Sequence, residues 1–285
     1  PVIVITAGDP AGIGPEVTEK ALKNRALLKK ADFFVIGCDS HPVKIGTPTK
    51  TSGRIAAENI RKAVNLLSYI KGRKALVTAP INKYSLMKAG LPFKGHTEFL
   101  AHLTNTKDIA MMFTADHFKL ALVTRHIPLS EVCKSLSVAK ITKTIRFFSS
   151  ALKSIFGIKN PKIGVAGLNP HAGDSGTIGF EEKKIIIPAI KTLRRKIRYL
   201  QGPYPADVLF HQLYTKKLDG AVCMYHDQGL APFKMLYFEK GVNVTLGLPF
   251  VRTSPDHGTA FDIAGKGIAN PSSMENAIKL ALDSI

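Results

Sequence analysis

Eight short apolar runs, each five to seven residues long, recur along the chain with helix-like segments between them. They lie at 2–7, 32–37, 74–79, 109–115, 119–124, 162–167, 220–225 and 243–247. Helical periodicity of apolar positions is expected over 16–30, 54–70, 129–156, 180–195 and 206–217. A strand followed by a helix returns the chain to the starting edge, so the next strand adds in parallel, and the expected class is α/β with largely parallel sheets. The 285 residues suffice for about two domains. The final segment, 258–285, is expected to return to the N-terminal unit. The expected partition is 1–98 with 259–285 in the first domain, and 99–258 in the second.

Composition removes several alternatives. With 45% hydrophobic and 21% charged residues, and no apolar run near the roughly 18 that a membrane helix needs, a membrane protein is not expected. The N-terminal run PVIVITAG is too short for a signal-peptide core. Cys38, Cys133 and Cys223 are far apart and lack any CxxC spacing, which argues against a disulfide framework and a cysteine zinc site and for a cytoplasmic protein. The net charge of +19 invites a nucleic-acid reading. Yet the basic residues of LKNRALLKK, KTLRRKIRYL and YTKKL alternate with apolar positions, as on the outer faces of helices, and no zinc-finger or RNA-binding signature accompanies them. A solvated basic surface that attracts anionic substrates is preferred; nucleic-acid binding stays as the rival from another class.

In parallel sheets, ligands bind beyond the carboxyl ends of the strands. Three expected strands end alike there. KLALVT runs into His126, KIGVAG into Asn169, Pro170 and His171, and GAVCMY into His226 and Asp227. A lone histidine in such a place is usually an ordinary surface or core residue, but three imidazoles from separate strand ends suit zinc or another borderline divalent ion with positions open for substrate. Asp174 and Asp227 are candidates to orient the rings. The glycine-rich stretches AGDPAGIGPEV, GDSGTIG and DIAGKGIAN match neither GxGxxG nor a Walker loop, so neither a Rossmann site nor a P-loop is expected.

Longer motifs carry a resemblance. TAGDPAGIGPEV, KGHTEFLA, TRHIPL, GLNPHAGDSGTIG, GPYPADVLF, YHDQGLAPFK and GVNVTLGLPFVRTSPDHGTAFDIAGKG, in this order, resemble the 4-hydroxythreonine-4-phosphate dehydrogenase family over almost the whole chain. The two ends are similar to those of isopropylmalate and isocitrate dehydrogenases, which oxidise and decarboxylate on a non-Rossmann fold. The resemblance implies two α/β/α domains with an interdomain active-site cleft. It places metal ligands at His126, His171 and His226, and substrate-binding positions at His96, Thr97, Lys234, Asn243 and Arg252. Asp207 matches a position that reaches the partner subunit's site, which implies a homodimer. The loop after Pro255 implies cofactor contacts from His257, Gly258, Thr259, Ala260, Asp262 and Asn270. Asp262 beside an adenosine ribose favours NAD over NADP. The stretch 39–52 is shorter than the family's usual helix and strands, and this touches none of the site motifs.

The implied chemistry is metal-dependent oxidation and decarboxylation of a phosphorylated β-hydroxy amino acid, 4-phosphooxy-L-threonine, in vitamin B6 biosynthesis. Zinc is the first expectation for the ion, with magnesium or cobalt as alternatives. Lys83, Asp207 and Asp227 are the candidates for proton transfer. Another phosphorylated hydroxy acid as substrate is the alternative within the same architecture.

Overall fold

The structure, a computed structural model, describes residues 1–39, 42–93 and 95–285. Ser40 and His41, in the short stretch after Cys38, and Lys94, in the KGHTEFLA motif, lie outside the described residues. The strands are β1 (Val2–Thr6), β2 (Asp32–Ile36), β3 (Lys74–Thr78), β4 (Ala110–Ala115), β5 (Phe118–Leu122), β6 (Ile163–Ala166), β7 (Leu200–Tyr204), β8 (Gly220–Cys223), β9 (Val242–Leu246) and β10 (Val251–Pro255). The helices are α1 (Gly14–Leu22), α2 (Arg25–Leu28), α3 (Lys50–Tyr69), α4 (Lys83–Lys88), α5 (His96–Leu103), α6 (Leu129–Ser135), α7 (Val138–Ser154), α8 (Ile187–Leu193), α9 (Ala206–Tyr214), α10 (His226–Tyr237) and α11 (Ser272–Asp283). Among the described residues no helix is long and apolar enough to cross a membrane.

The chain divides into two compact units, Pro1–Ile109 with Glu239–Ile285, and Ala110–Phe238. These boundaries differ from the 98/99 and 258/259 drawn from the sequence, for two reasons. Helix α5 packs on α3, and β9 and β10 pair within the sheet of the first unit, so contacts rather than the position of the motifs decide where each segment belongs.

In the first unit the strands run in the order β2, β1, β3, β10, β9, parallel throughout except that β9 is antiparallel to β10. Helix α3 buries Ala56, Ala57, Ile60, Ala63 and Leu67, a stripe at three- and four-residue spacing that packs with Val4 and Leu76 of the sheet. Its start is set by a reciprocal capping box between Thr49 and Ser52. Gly53 lets α3 lie directly on the next helix, since a Cβ there would sit 2.0 Å from the Ser85 carbonyl oxygen. Helix α11 returns to this unit, as expected of the last segment, and buries Met274, Ala277, Ile278 and Ala281.

In the second unit the order is β4, β5, β8, β6, β7. A two-residue turn joins β4 to β5, with Asp116 at φ 49°, and makes that pair antiparallel; the other pairs are parallel. Residues of β4, β5, β6 and β8 are buried, which is why they read as continuous apolar runs rather than alternating ones. Helix α7 covers β4, β5 and β8 with Ile141, Ile145, Phe148 and Leu152, each contributing roughly 1.5–3 kcal/mol by burial.

The local differences from the sequence reading have local causes. The helix expected over 16–30 breaks at Asn24, whose side chain caps α2. The one expected over 129–156 breaks at the extended Leu136, and Ser137 caps α7. Strands β7 and β10 were not anticipated because LQGPY and VRTSP are short and rich in polar residues, Gly and Pro. Helix α10 lies outside the expected helical segments, and Pro232 stands inside it.

Candidate active site

In the second unit, β5 and β8 bring two of the three strand-end histidines together. The Thr124 hydroxyl donates to the Met224 carbonyl (2.7 Å) and the Thr124 N–H to the same oxygen (3.1 Å), which locks the two strand ends two residues before His126 and His226. The two imidazole centroids are 5.4 Å apart, with planes at 45°. They open on a cavity of about 240 Å³ whose lining includes Arg125, Leu129, Tyr225 and Asp227. His226 is the first residue of α10 rather than part of a loop, and its Nδ1 lies 2.6 Å from Asp227 Oδ1. With Nδ1–H donating to that carboxylate, the lone pair is left on Nε2, the tautomer that suits a metal ligand.

His171 is placed otherwise. It lies in the turn Pro170–Gly176, exposed, with φ 53°, and the next four residues also have positive φ. Among the described residues no three His, Cys, Asp or Glu side chains stand together as a metal-binding group, so His171 is not gathered with the pair. The donor chemistry of the pair, two imidazoles with one ring braced by a carboxylate, fits zinc or a similar divalent ion. Of the other predicted residues in this unit, Asp174 accepts from the Thr177 N–H through its carbonyl, Asp207 is exposed in the first turn of α9, and Lys234 is about two turns along α10 from His226, its ammonium 5.2 Å from the Phe238 ring centroid.

In the first unit the site gathers around Arg252 of β10, which is 2% exposed. Its Nε and Nη2 donate to Thr78 Oγ1 (3.1 and 2.6 Å), and its Nη1 donates to Asn243 Oδ1 (3.1 Å) and Thr245 Oγ1 (2.9 Å). All three accepting groups are neutral. Burial pushes the guanidinium down to about 9, against a smaller upward pull from Glu98, so it stays cationic at neutral pH. His96 begins α5, and burial first, then the charge of Arg252, holds its imidazole well below the usual range. It is therefore neutral at neutral pH, and its Nε2 is buried with no hydrogen-bond partner among the described residues. Thr97 is buried beside it. Lys83 begins α4 and reaches Gly95, where an added Cβ would be 3.9 Å from Lys83 Cε.

The loop after β10 packs on the glycine-rich stretch that follows β1. The Ile13 N–H donates to the Thr259 carbonyl (2.9 Å), and Gly12 has no room for a Cβ, which would lie 2.8 Å from Thr259 Cβ. Ala260 has φ 40°, His257 Nδ1 is 3.0 Å from the Gly258 carbonyl, and Asp262 is exposed. Gly258 is exposed and faces open space. Asn270 has a local task, accepting from the N–H and hydroxyl of Ser272 (2.9 and 2.7 Å) at the start of α11.

Thr78 and Thr245 escaped the sequence reading. Both sit in apolar strand runs where a threonine reads as β-propensity; only the pairing of β10 beside β3 and β9 turns their hydroxyls into the seat of Arg252.

The model of the family described as pyridoxal phosphate biosynthetic protein PdxA matches residues 12–281. A 4-hydroxythreonine-4-phosphate dehydrogenase of Desulforapulum autotrophicum is 42% identical, covering 99% of this chain and 94% of that one. A relative from Oceanobacillus iheyensis, 40% identical over 99% of this chain and 97% of its own, carries a provisional D-threonate 4-phosphate dehydrogenase name. The crystal structure of 4-hydroxythreonine-4-phosphate dehydrogenase from Klebsiella pneumoniae superposes with a TM-score of 0.85 at 36% identity, covering 99% of this chain and 97% of that one. An isocitrate dehydrogenase from Methylococcus capsulatus, at 16% identity and a TM-score of 0.55, covering 99% of this chain and 84% of that one, shares the fold.

Proposed function

The chain belongs to the PdxA family of pyridoxal phosphate biosynthetic proteins, and on that premise we propose that it oxidises and decarboxylates 4-phosphooxy-L-threonine to 3-amino-2-oxopropyl phosphate. The observation that carries the reading is the His126–His226 pair, opening on a cavity in a chain related over its length to 4-hydroxythreonine-4-phosphate dehydrogenases. The carbon bearing the hydroxyl loses hydride and its oxygen loses a proton; the resulting β-keto acid loses CO₂ and is protonated. When bound, a divalent ion supplies Lewis acidity at the hydroxyl and at the charge that builds on decarboxylation, and NAD supplies the hydride acceptor.

His126, His171 and His226 are the residues that would hold the ion, zinc before magnesium or cobalt. Asp227 keeps the His226 ring in the ligating tautomer. Arg252 and Lys234 provide positive charge for phosphate or carboxylate, Arg252 with the one N–H that Thr78, Asn243 and Thr245 leave free. Neutral His96, with Thr97 and Asn243, offers hydrogen bonds to the substrate's polar groups, and Lys83, Asp207 and Asp227 are the candidates for moving protons. His257, Gly258, Thr259, Ala260, Asp262 and Asn270 form the seat proposed for the cofactor, with Asp262 favouring the 2′-hydroxyl of NAD over the 2′-phosphate of NADP. The working form is a cytoplasmic homodimer in which Asp207 serves the partner's site.

Steady-state NADH formation from 4-phosphooxy-L-threonine, with and without added zinc or magnesium, tests this. Metal-dependent turnover to 3-amino-2-oxopropyl phosphate is expected; no turnover under any metal would refute it. The Oceanobacillus relative favours a second reading, D-threonate 4-phosphate as substrate, and a higher kcat/KM on that compound would establish it.

A further inference from the structure

We propose that Glu182 and Gln228 are positioning residues that grip the backbone of Gly167, Leu168 and Asn169, so that the short step from this fixed backbone to the His171 imidazole, which stands apart from the His126–His226 pair here, is all that metal binding has to reorient; the inference rests on the metal reading above. Both side chains are buried, at 3% and 8% exposure. Glu182 Oε1 accepts from the N–H groups of Leu168 (2.7 Å) and Asn169 (2.8 Å), and Oε2 accepts from Asn169 Nδ2 (2.9 Å). Gln228 Nε2 donates to the Gly167 carbonyl (2.7 Å), while its Oε1 accepts from the Met224 N–H (2.7 Å). The Gly167 N–H donates to the Tyr204 carbonyl and Asn169 Nδ2 donates also to Glu181, so each backbone N–H of the three residues that lead from β6 to Pro170 and His171 has a partner.

The fit is close. A Cβ on Gly167 would lie 3.2 Å from Glu182 Oε1, and one on Gly173 would lie 2.6 Å from Oε2, so the carboxylate fills the hollow under the turn that carries His171. That turn needs holding. Residues 171–175 have φ of 53°, 52°, 79°, 38° and 55°, a left-handed run in which only Gly173 is unstrained, and such strain persists only where surrounding contacts over-determine it. Glu182 itself starts a π-helical turn, Glu182–Ile186, an arrangement often found next to functional sites.

Gln228 extends the grip to the other histidines. Thr124 Oγ1 donates to the Met224 carbonyl, Met224 N–H donates to Gln228, and Gln228 donates to Gly167. One buried polar chain thus joins three strand ends, each preceding a histidine by two to four residues. A carboxylate that accepts three hydrogen bonds from backbone and amide, with no cation among those partners, is an expensive way to build a core and an effective way to fix a loop.

Cobalt(II) titration of the whole chain, followed by the ion's visible absorption, tests the assignment. Wild type is expected to bind cobalt in a manner lost in His171→Ala. Glu182→Ala and Gln228→Leu are expected to weaken binding by about 10- to 100-fold, as outer partners of metal ligands do, and to change the absorption spectrum. Glu182→Gln keeps an oxygen for the two backbone N–H groups and is expected to recover affinity to within about threefold of wild type. Ile145→Val, a destabilising change in the core of the same unit, is expected to leave cobalt binding unchanged. If Glu182→Ala does not fold, Gln228→Leu and Glu182→Gln decide the matter. Wild-type affinity and spectrum in Gln228→Leu and Glu182→Ala, or equal loss in Ile145→Val, overturns the inference while leaving the metal reading standing. Cobalt binding that survives in His171→Ala, or is absent from wild type, overturns both.

Discussion

Replacing Arg252 by methionine separates two roles that a buried arginine can have. The guanidinium is 2% exposed, donates only to neutral acceptors among the described residues, and is held at about 9 mainly by burial. A displacement of that size corresponds to roughly 5 kcal/mol of charge desolvation, at about 1.4 kcal/mol per pH unit. The sign is unfavourable to folding: the unfolded chain binds this proton more tightly, so the penalty is present in full below about pH 9 and fades as pH rises towards the ordinary arginine range. Methionine removes the penalty and also four hydrogen bonds, worth about 1 kcal/mol net apiece. The two effects nearly cancel, and urea unfolding of Arg252→Met at neutral pH is expected to fall within about 2 kcal/mol of wild type. Activity is expected to respond very differently. The one N–H not engaged by these acceptors leaves a single charge-assisted hydrogen bond to phosphate, worth roughly 1.5–3 kcal/mol, which implies a loss of about 10- to 10²-fold in kcat/KM. Inorganic phosphate should raise the Tm of wild type and leave that of the variant unmoved. A variant destabilised by more than about 4 kcal/mol with kcat/KM intact would show that Arg252 is a structural strut and not an anion seat.

Chelation is expected to abolish turnover, and His126→Ala, His171→Ala and His226→Ala each to reduce bound metal in elemental analysis, because each removes a ligand; full activity after exhaustive dialysis against a chelator refutes this. Mixing Asp207→Ala with His226→Ala subunits is expected to restore part of the activity through hybrid dimers, whereas a fully active monomer in light scattering excludes a shared site. Wild type should prefer NAD in kcat/KM and Asp262→Lys should shift preference towards NADP; no shift means that the exposed carboxylate does not read the ribose. Gly53→Ala should lower stability by roughly 1–3 kcal/mol, since its methyl would lie 2.0 Å from a backbone oxygen, and an unchanged urea midpoint would show that α3 and α4 part at no cost.

What the sequence determined by itself was what periodicity and chemistry can carry locally. The buried strands β4, β5, β6 and β8 and the striped helices α3 and α7 were legible because burial on both faces forces a continuous apolar run and burial on one side forces a three-to-four spacing. The three strand-end histidines were legible because strand ends are where loops carry ligands. What only the tertiary structure decided was which groups meet. His126 and His226 stand together because β5 and β8 are neighbours, while His171 follows the bend of its own left-handed turn. The seat of Arg252 draws on strands about 170 residues apart in the chain, and nothing in VRTSP or KALVT marks Thr78 as its acceptor. Glu182 and Gln228 gave no signal either, since an acid in an expected helix or an amide just past a strand end reads as solvent-facing until the backbone groups it must satisfy are brought to it.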